Sequence, residues 1–291
     1  MKSVGLVVNM TKKNASHVAG QIVTWLQEHN ISAYEHESQY CSISKDVLAE
    51  TAQKFNGLDA VIVLGGDGTL LNSARLVAPH QIPILGINMG NMGFLTEVDL
   101  EHLFESLERL VKGEYSLEER MMLHCELKRS DKIIQEFIAL NDVVVAKGSF
   151  SRMILLDAFV NDQYLDTYSA DGIIVSTPTG STAYSLSAGG PIVFPEIELM
   201  LMTPICPHTL FSRPMVIGAN NQIHLVLNTD SEDVMLTIDG QNGYRLEQGD
   251  EVIVQKSPLH TRLVRLNSKS FADVLRAKLR ESGGYHKEPN C

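Results

Sequence analysis

Apolar and polar positions alternate in blocks over the first hundred residues. Val4 to Asn9 opens with a mostly apolar run, and Ser16 to His29 places Val18, Ile22 and Leu26 on one helical face. Ser44 to Lys54 fits a second helix. Ala60-Val61-Ile62-Val63-Leu64 is apolar throughout, the pattern of a strand buried on both faces of a parallel sheet. Leu70 to Val77 then predicts a helix, and Ile82 to Ile87 another buried strand with Pro83 marking its start. Leu103, Leu107 and Leu110 fall in register over Leu100 to Val111, where Lys112-Gly113 supplies a helix stop. This succession predicts a doubly wound, mostly parallel sheet.

From about Ser116 the pattern shortens. Met121 to Leu127, Phe137 to Val145, Met153 to Val160, Asp171 to Ser176, Ile223 to Leu227, Val234 to Ile238 and Val252 to Val254 are β-prone, with turns such as Asn161-Asp162 and Asp239-Gly240 between them. The expected fold class is α/β plus all-β: an N-terminal open parallel α/β sheet domain, 1–115, and a C-terminal β-sandwich domain, 116–265. Phe271, Val274, Leu275, Lys278 and Leu279 predict a closing helix, so 266–291 is expected to pack back on the first domain. Ser282 to Cys291 has the look of a frayed tail. A chain of 291 residues has length for two cores, although one large α/β unit stays open.

Charge narrows the function. With 24 basic and 35 acidic residues the formal net charge is -11, which argues against sequence-independent binding to nucleic acid or to an anionic membrane. No stretch has the length and apolarity of a membrane span, and Met1 to Asn9 lacks the pattern of a signal peptide. Cys41, Cys125, Cys206 and Cys291 show no paired spacing, so reduced cytosolic thiols are the expectation. Cys206-Pro207-His208 offers two metal ligands but no second pair, which favours a structural role.

The candidate chemistry begins where the strand at Ala60 stops at Gly65-Gly66-Asp67-Gly68-Thr69. Ligands of open α/β sheets sit at this end of a strand. Such a turn, with the next helix N-terminus, presents N–H groups to phosphate, and its one carboxylate, Asp67, is able to accept a proton or hold a metal. An ordinary Gly-Asp-Gly connection is the competing reading. The turn is neither a P-loop nor a dinucleotide fingerprint. A second glycine-punctuated loop, Asn88 to Thr96, follows the next strand.

Two further stretches carry polar groups among apolar ones. Asp171 to Pro191 runs from strand to hydroxyls to glycines, with seven Ser or Thr residues within twelve positions. Short uncharged donors suit sugar hydroxyls, an amide or a purine edge, whereas a solvated loop is the plainer alternative. Asn141-Asp142 interrupts Ile138-Ala139-Leu140 and Val143-Val144-Val145. A hairpin turn is one account, but the flanks favour one continuous strand with a bulge aiming both side chains at a ligand, for which a vicinal diol is a good match.

Gly65-Gly66-Asp67-Gly68-Thr69, Asn141-Asp142, and Asp171-Gly172 leading through Thr177-Pro178-Thr179-Gly180-Ser181-Thr182-Ala183-Tyr184-Ser185 to Gly189-Gly190-Pro191 together resemble the NAD kinases. The first motif is shared with diacylglycerol, sphingosine and phosphofructokinases; the third is the specific one. The resemblance implies a cytoplasmic homodimer or homotetramer that phosphorylates the 2′-hydroxyl of the adenosine ribose of NAD. Its donor would be ATP or polyphosphate, with a divalent metal, Mg²⁺, whose ligands the sequence leaves unknown. It also implies Asp67 as proton acceptor, with Gly65, Gly66, Gly68 and Thr69 as the phosphate-donor loop. Dinucleotide contacts would come from Asp67, Gly68, Phe94, Asn141, Asp142, Arg152, Asp171, Thr182, Ala183, Tyr184, Ser185, Leu186, Ser187 and Gln241.

The chain departs from the pattern of many bacterial members in two places. Asp142 stands where they carry Glu, and Ser169-Ala170 precede Asp171 where many carry a basic residue, which bears on the preference between NAD and NADH. Two other functions share parts of the pattern: a lipid or sugar kinase using the same glycine turn, and a non-catalytic dinucleotide sensor that would not need Asp67.

Overall fold

The computed structural model describes residues 1–37, 52–90, 93–148, 152–208, 212–229, 233–266 and 270–282. The helix expected over Ser44 to Lys54, Asn91 and Met92 of the second glycine loop, and the tail after Ser282 lie largely or wholly outside them.

The α/β half follows the hydrophobic blocks. Strands β1 (Ser3–Val8), β2 (Ser32–Glu37), β3 (Ala60–Gly65) and β4 (Ile84–Asn88) pair in parallel in the order β2-β1-β3-β4. Every residue of β3 and β4 is buried, as expected for strands covered on both faces. Helix α1 (Ala15–Glu28) buries Val18, Ile22 and Leu26 on one face of this sheet, together with Leu103, Leu107 and Leu110 of a later helix. Helix α2 (Asp67–Val77) covers the other face. Helix α3 (Leu103–Lys112) ends at Gly113, whose φ of 77° is the left-handed stop that glycine adopts without a Cβ clash.

The second half is a sandwich. Its strands are β5 (Ser116–Arg129), β6 (Lys132–Ala139), β7 (Asp142–Lys147), β8 (Ile154–Val160), β9 (Gln163–Ala170) and β10 (Gly172–Ser176). A short helix, α4 (Tyr184–Ser187), precedes β11 (Leu199–Ile205), β12 (Met215–Gly218), β13 (Gln222–Leu227), β14 (Val234–Ile238), β15 (Asn242–Leu246) and β16 (Glu251–Arg265). Strands β12-β11-β10-β7-β14-β15 form one antiparallel sheet, which packs on β5, β6, β8, β9, β13 and β16 through a shared apolar core. Helix α5 (Phe271–Ser282) closes the described chain. No described helix is long and apolar enough to cross a membrane.

One sheet runs through both halves. The start of β16 pairs with β13, while Leu263 near its end meets Ile84 of β4 in parallel, and β5 lies along the whole strand. Helix α2 is therefore enclosed: Met122, Leu140 and Leu263 of the β half share its apolar cluster, and residues 69–77 are all buried.

Two expectations need correction. Phe137 to Val145 is not one bulged strand: β6 belongs to the large sheet and β7 to the small one, with Asn141 at the crossover. The apolar residues on either side serve two different sheets, which imitates continuity in sequence. The helix expected from Leu70 starts at Asp67, so the acid of the glycine turn is itself the first helical residue. Strands β2 and β9 escaped the pattern because they are largely exposed and polar.

Candidate active site

Gly66, extended at φ -124°, caps α2 without a side chain, and Asp67 follows in the first turn. The first N–H groups of a helix lack intrahelical acceptors, so this end favours an anion. The Asp67 carboxylate is half-buried and held from the loop after β4: the Phe94 N–H donates to Oδ2 at 2.8 Å and the Leu95 N–H to Oδ1 at 3.2 Å. Gly93 lets that loop come so close, because a Cβ there would collide with the Asp67 carboxylate. Two positions after Asp67, Thr69 is fully buried and its Oγ1 accepts from Asn9 Nδ2 at 3.2 Å. The two glycine loops thus form one hydrogen-bonded mouth.

The crossover carrying Asn141 and Asp142 is fixed from three sides. Where the backbone leaves one sheet for the other it loses ladder partners, and the carboxylate of Asp239 supplies them. It accepts the N–H groups of Leu140 (3.2 Å), Asn141 (2.7 Å) and Asp142 (3.2 Å). Thr177 donates its hydroxyl to the Leu140 carbonyl at 2.6 Å, and its N–H to the Asn141 carbonyl at 2.9 Å. Gly180 lies flat against Asn141; a Cβ would strike the Asn141 carbonyl oxygen. This is how the threonine- and glycine-rich segment meets the Asn-Asp pair.

The same Asp239 reaches back to α2. Arg75 Nη1 donates to it at 2.6 Å, both side chains being buried, while Arg75 Nη2 donates to Gln241 Oε1 at 2.7 Å. Gln241 Nε2 then donates to the Gly68 carbonyl at 2.5 Å. Gly68, Gln241, Arg75, Asp239, Asn141 and Asp142 are consecutive members of one chain of bonds between the two halves.

Asp142 is buried, and desolvation followed by repulsion from Asp239 pushes its carboxyl up to about 7. Tyr184 stands near the same acids: burial chiefly, then the charges of Cys206, Asp171 and Asp142, raise its phenol above the usual value. Asp171, half-buried, pairs with Lys147 of β7 at 3.2 Å. A basic residue therefore does stand beside Asp171, from a neighbouring strand rather than from the preceding position.

Most hydroxyls of the segment following β10 hold the loop itself. Thr177, Thr179, Ser181, Thr182 and Ser185 each make a bond within the protein: Thr179 with Arg120, Ser181 with Val193, Thr182 with the Thr179 carbonyl, and Ser185 with Thr203. Ser176, fully buried opposite Asp142 in the β7–β10 ladder, has no hydrogen-bond partner for its hydroxyl among the described residues. Tyr184 and Ser187 are exposed, and Thr182, Ala183 and Leu186 half-buried, which leaves this short helix open to a ligand.

Phe94 contributes to a neighbouring cavity of about 230 Å³, walled by Phe94, Phe194 and Phe271 with Arg120 and Arg265. Arg152 is exposed, and among the described residues no hydrogen bond or ion pair joins it to the cluster. His124, Glu126 and Glu136 bring ligand atoms within 4.8 Å of one another on β5 and β6, a grouping that includes none of the acids above. A single magnesium ion takes one or two carboxylates and completes its shell with water and phosphate oxygens. Asp67, alone in its turn and with lone pairs left beside its two N–H donors, suits that donor set.

Sequence reasoning passed over Arg75 and Asp239. A cation in the apolar run of α2 was a signal for Arg75. Asp239 shows in the sequence only as half of an Asp-Gly turn.

The description of the ATP-NAD kinase N-terminal domain matches residues 4–115, and that of the ATP-NAD kinase C-terminal domain residues 140–266. The NAD kinase of Caldanaerobacter subterraneus subsp. tengcongensis is 47% identical over 282 residues, 97% of this chain and 100% of that protein. The NAD kinase of Moorella thermoacetica is 43% identical over 290 residues, 100% of this chain and 93% of its own. Among solved structures, yeast NADH kinase complexed with NADH superposes with a TM-score of 0.84 at 25% identity, covering 100% of this chain and 89% of the other. An NAD kinase from Archaeoglobus fulgidus in complex with ATP gives 0.74 at 25% identity, covering 96% and 99%. With both domains matched and relatives this similar along their whole length, the chain belongs to the NAD kinase family.

Proposed function

We propose that this NAD kinase moves the γ-phosphoryl group of ATP to the 2′-hydroxyl of the adenosine ribose of NAD, with Asp67 as the proton acceptor. The observation that carries this is the unbroken bond chain from Gly68 through Gln241, Arg75 and Asp239 to Asn141 and Asp142. It supports one ribose lying between an acid and a diol-binding pair. Phosphoryl transfer asks little covalent chemistry of a protein: align the hydroxyl, offset the phosphate charge, and take up a proton late.

Each group then has a task. Asp67, oriented by two backbone amides, accepts the 2′-hydroxyl proton, while the N-terminus of α2 and its glycine backbone face the donor phosphates. Asn141 and Asp142 receive the ribose hydroxyls; Asp171, Tyr184 and the exposed short helix bind the rest of the dinucleotide. A bound magnesium ion, with Asp67 as its protein ligand, would screen the triphosphate charge. The alternative lipid and sugar kinase readings fall away with the family assignment. The names of the yeast and archaeal relatives support NADH or NAD as acceptor and ATP as donor.

The test is NADP formation from NAD, ATP and magnesium by the parent chain and by Asp67→Asn. The variant is expected to keep its fold and NAD binding and to lose about 10²- to 10⁴-fold in kcat, the usual cost of removing a general base. Full turnover by the variant would rule the role out.

A further inference from the structure

The β14–β15 hairpin turns through Asp239, Gly240 and Gln241: the Gln241 N–H donates to the Ile238 carbonyl at 2.9 Å, and Asp239 and Gly240 both stand at positive φ (51° and 64°), a conformation that Asp-Gly favours. That turn sends Asp239 into the space between α2 and the Leu140–Asp142 crossover. A buried ion pair contributes little net stability compared with an apolar pair of the same volume, because both ions must be desolvated. Its geometry here does something an apolar pair could not. The carboxylate takes three successive N–H groups on the side of Asn141 and the Arg75 guanidinium on the other. Arg75 is forked between Asp239 and Gln241, and Gln241 returns to the carbonyl of Gly68, the residue after Asp67.

We infer that the tip of this hairpin is a positioning device: Asp239 and Gln241, gripping Arg75 and Gly68, set the spacing between Asp67 and the Asn141–Asp142 pair. The inference rests on the reading that these acids serve one ribose. In this account Gln241 acts on the glycine turn and not on the dinucleotide. Arg75 and Gln241 touch no substrate; they act through Asp67. Small displacements of a reacting group cost rate far more than affinity.

The experiment measures kcat and the KM values for NAD and ATP, per folded molecule, in Arg75→Met, Arg75→Lys and Gln241→Leu, beside Asp67→Asn. Arg75→Met is expected to lose roughly 10- to 100-fold in kcat with both KM values within about threefold. Arg75→Lys restores charge without the fork, and should recover part of the rate. Gln241→Leu leaves the ion pair in place and guards against an Arg75 variant that fails to fold; its kcat should fall roughly three- to tenfold. A lower melting temperature with unchanged kcat in Arg75→Met and Gln241→Leu would mean a merely structural role. A raised KM for NAD at unchanged kcat in Gln241→Leu would mean a substrate contact; either result overturns the inference. The two failures separate: if Asp67→Asn is inactive while the other variants keep full kcat, only the positioning role is lost. If Asp67→Asn turns over normally, the reading beneath it fails and the inference with it.

Discussion

Asp67 and Asp142 are both carboxylates at the edge of a strand, yet the two halves of the molecule prepare them in opposite ways. The parallel sheet delivers Asp67 half-exposed at a helix N-terminus, with two backbone N–H groups aimed at it. The sandwich delivers Asp142 buried, facing a second acid, and pushed up to about 7. A helix N-terminus with two aimed amides is a place where negative charge is favoured. Burial against Asp239 instead leaves a charge that needs a partner to be stable. The difference suits a group that works on the reacting proton on one side and a group that recognises hydroxyl donors on the other.

The largest effect that would break this contrast comes at Gly93. Any side chain there meets the Asp67 carboxylate, so Gly93→Ala should displace the acid and lower kcat about 10²-fold, with a smaller change in the KM for NAD. Steady-state kinetics at saturating ATP check the split. An unchanged kcat would mean that the orientation of Asp67 by the second loop is irrelevant to the reaction.

Next comes Asp142→Asn. Exchanging charge-assisted bonds for neutral ones should raise the KM for NAD roughly 10- to 100-fold at pH 8, with kcat less affected. Because the parent carboxyl ionises near 7, the difference should shrink as the assay pH falls below that value. A gap that stays constant from pH 6 to pH 8 would contradict the binding role given to the ionised form.

An effect of opposite sign is expected on stability. A carboxyl whose folded pKa lies above its unfolded one destabilises the fold when charged. The penalty is absent below pH 3.8, grows between 3.8 and about 7, and is complete above. Without ligand at pH 8, Asp142→Asn should therefore be more stable than the parent, by up to about 4 kcal/mol. Denaturant titration across pH measures this, and a variant less stable at pH 8 would show that the buried charge is compensated.

The two regions were also unequally legible in the sequence. The parallel half was plain because its strands are buried on both faces: β3 and β4 stand out as apolar runs, and α1 and α3 show clean helical stripes. The glycine turn and the hydroxyl-rich segment were recognisable as motifs. What the sequence concealed is contact over long separation. Arg75 and Asp239 are 164 positions apart, and neither motif contains either residue. The crossover at Asn141 looked like a bulge because β6 and β7 are both apolar on approach, although they face different sheets. The hydroxyls looked like ligand donors, and five of the seven are engaged within the protein. Spacing along a chain cannot show which of its polar groups find each other first.

The most direct measurement is the structure of the Asp67→Asn variant crystallised with NAD and a non-hydrolysable ATP analogue. The ribose 2′-hydroxyl should lie about 3 Å from the side chain at position 67, with the neighbouring hydroxyl bonded to Asn141 or Asp142. A dinucleotide whose adenosine ribose touches one of these two places and not the other would contradict the account.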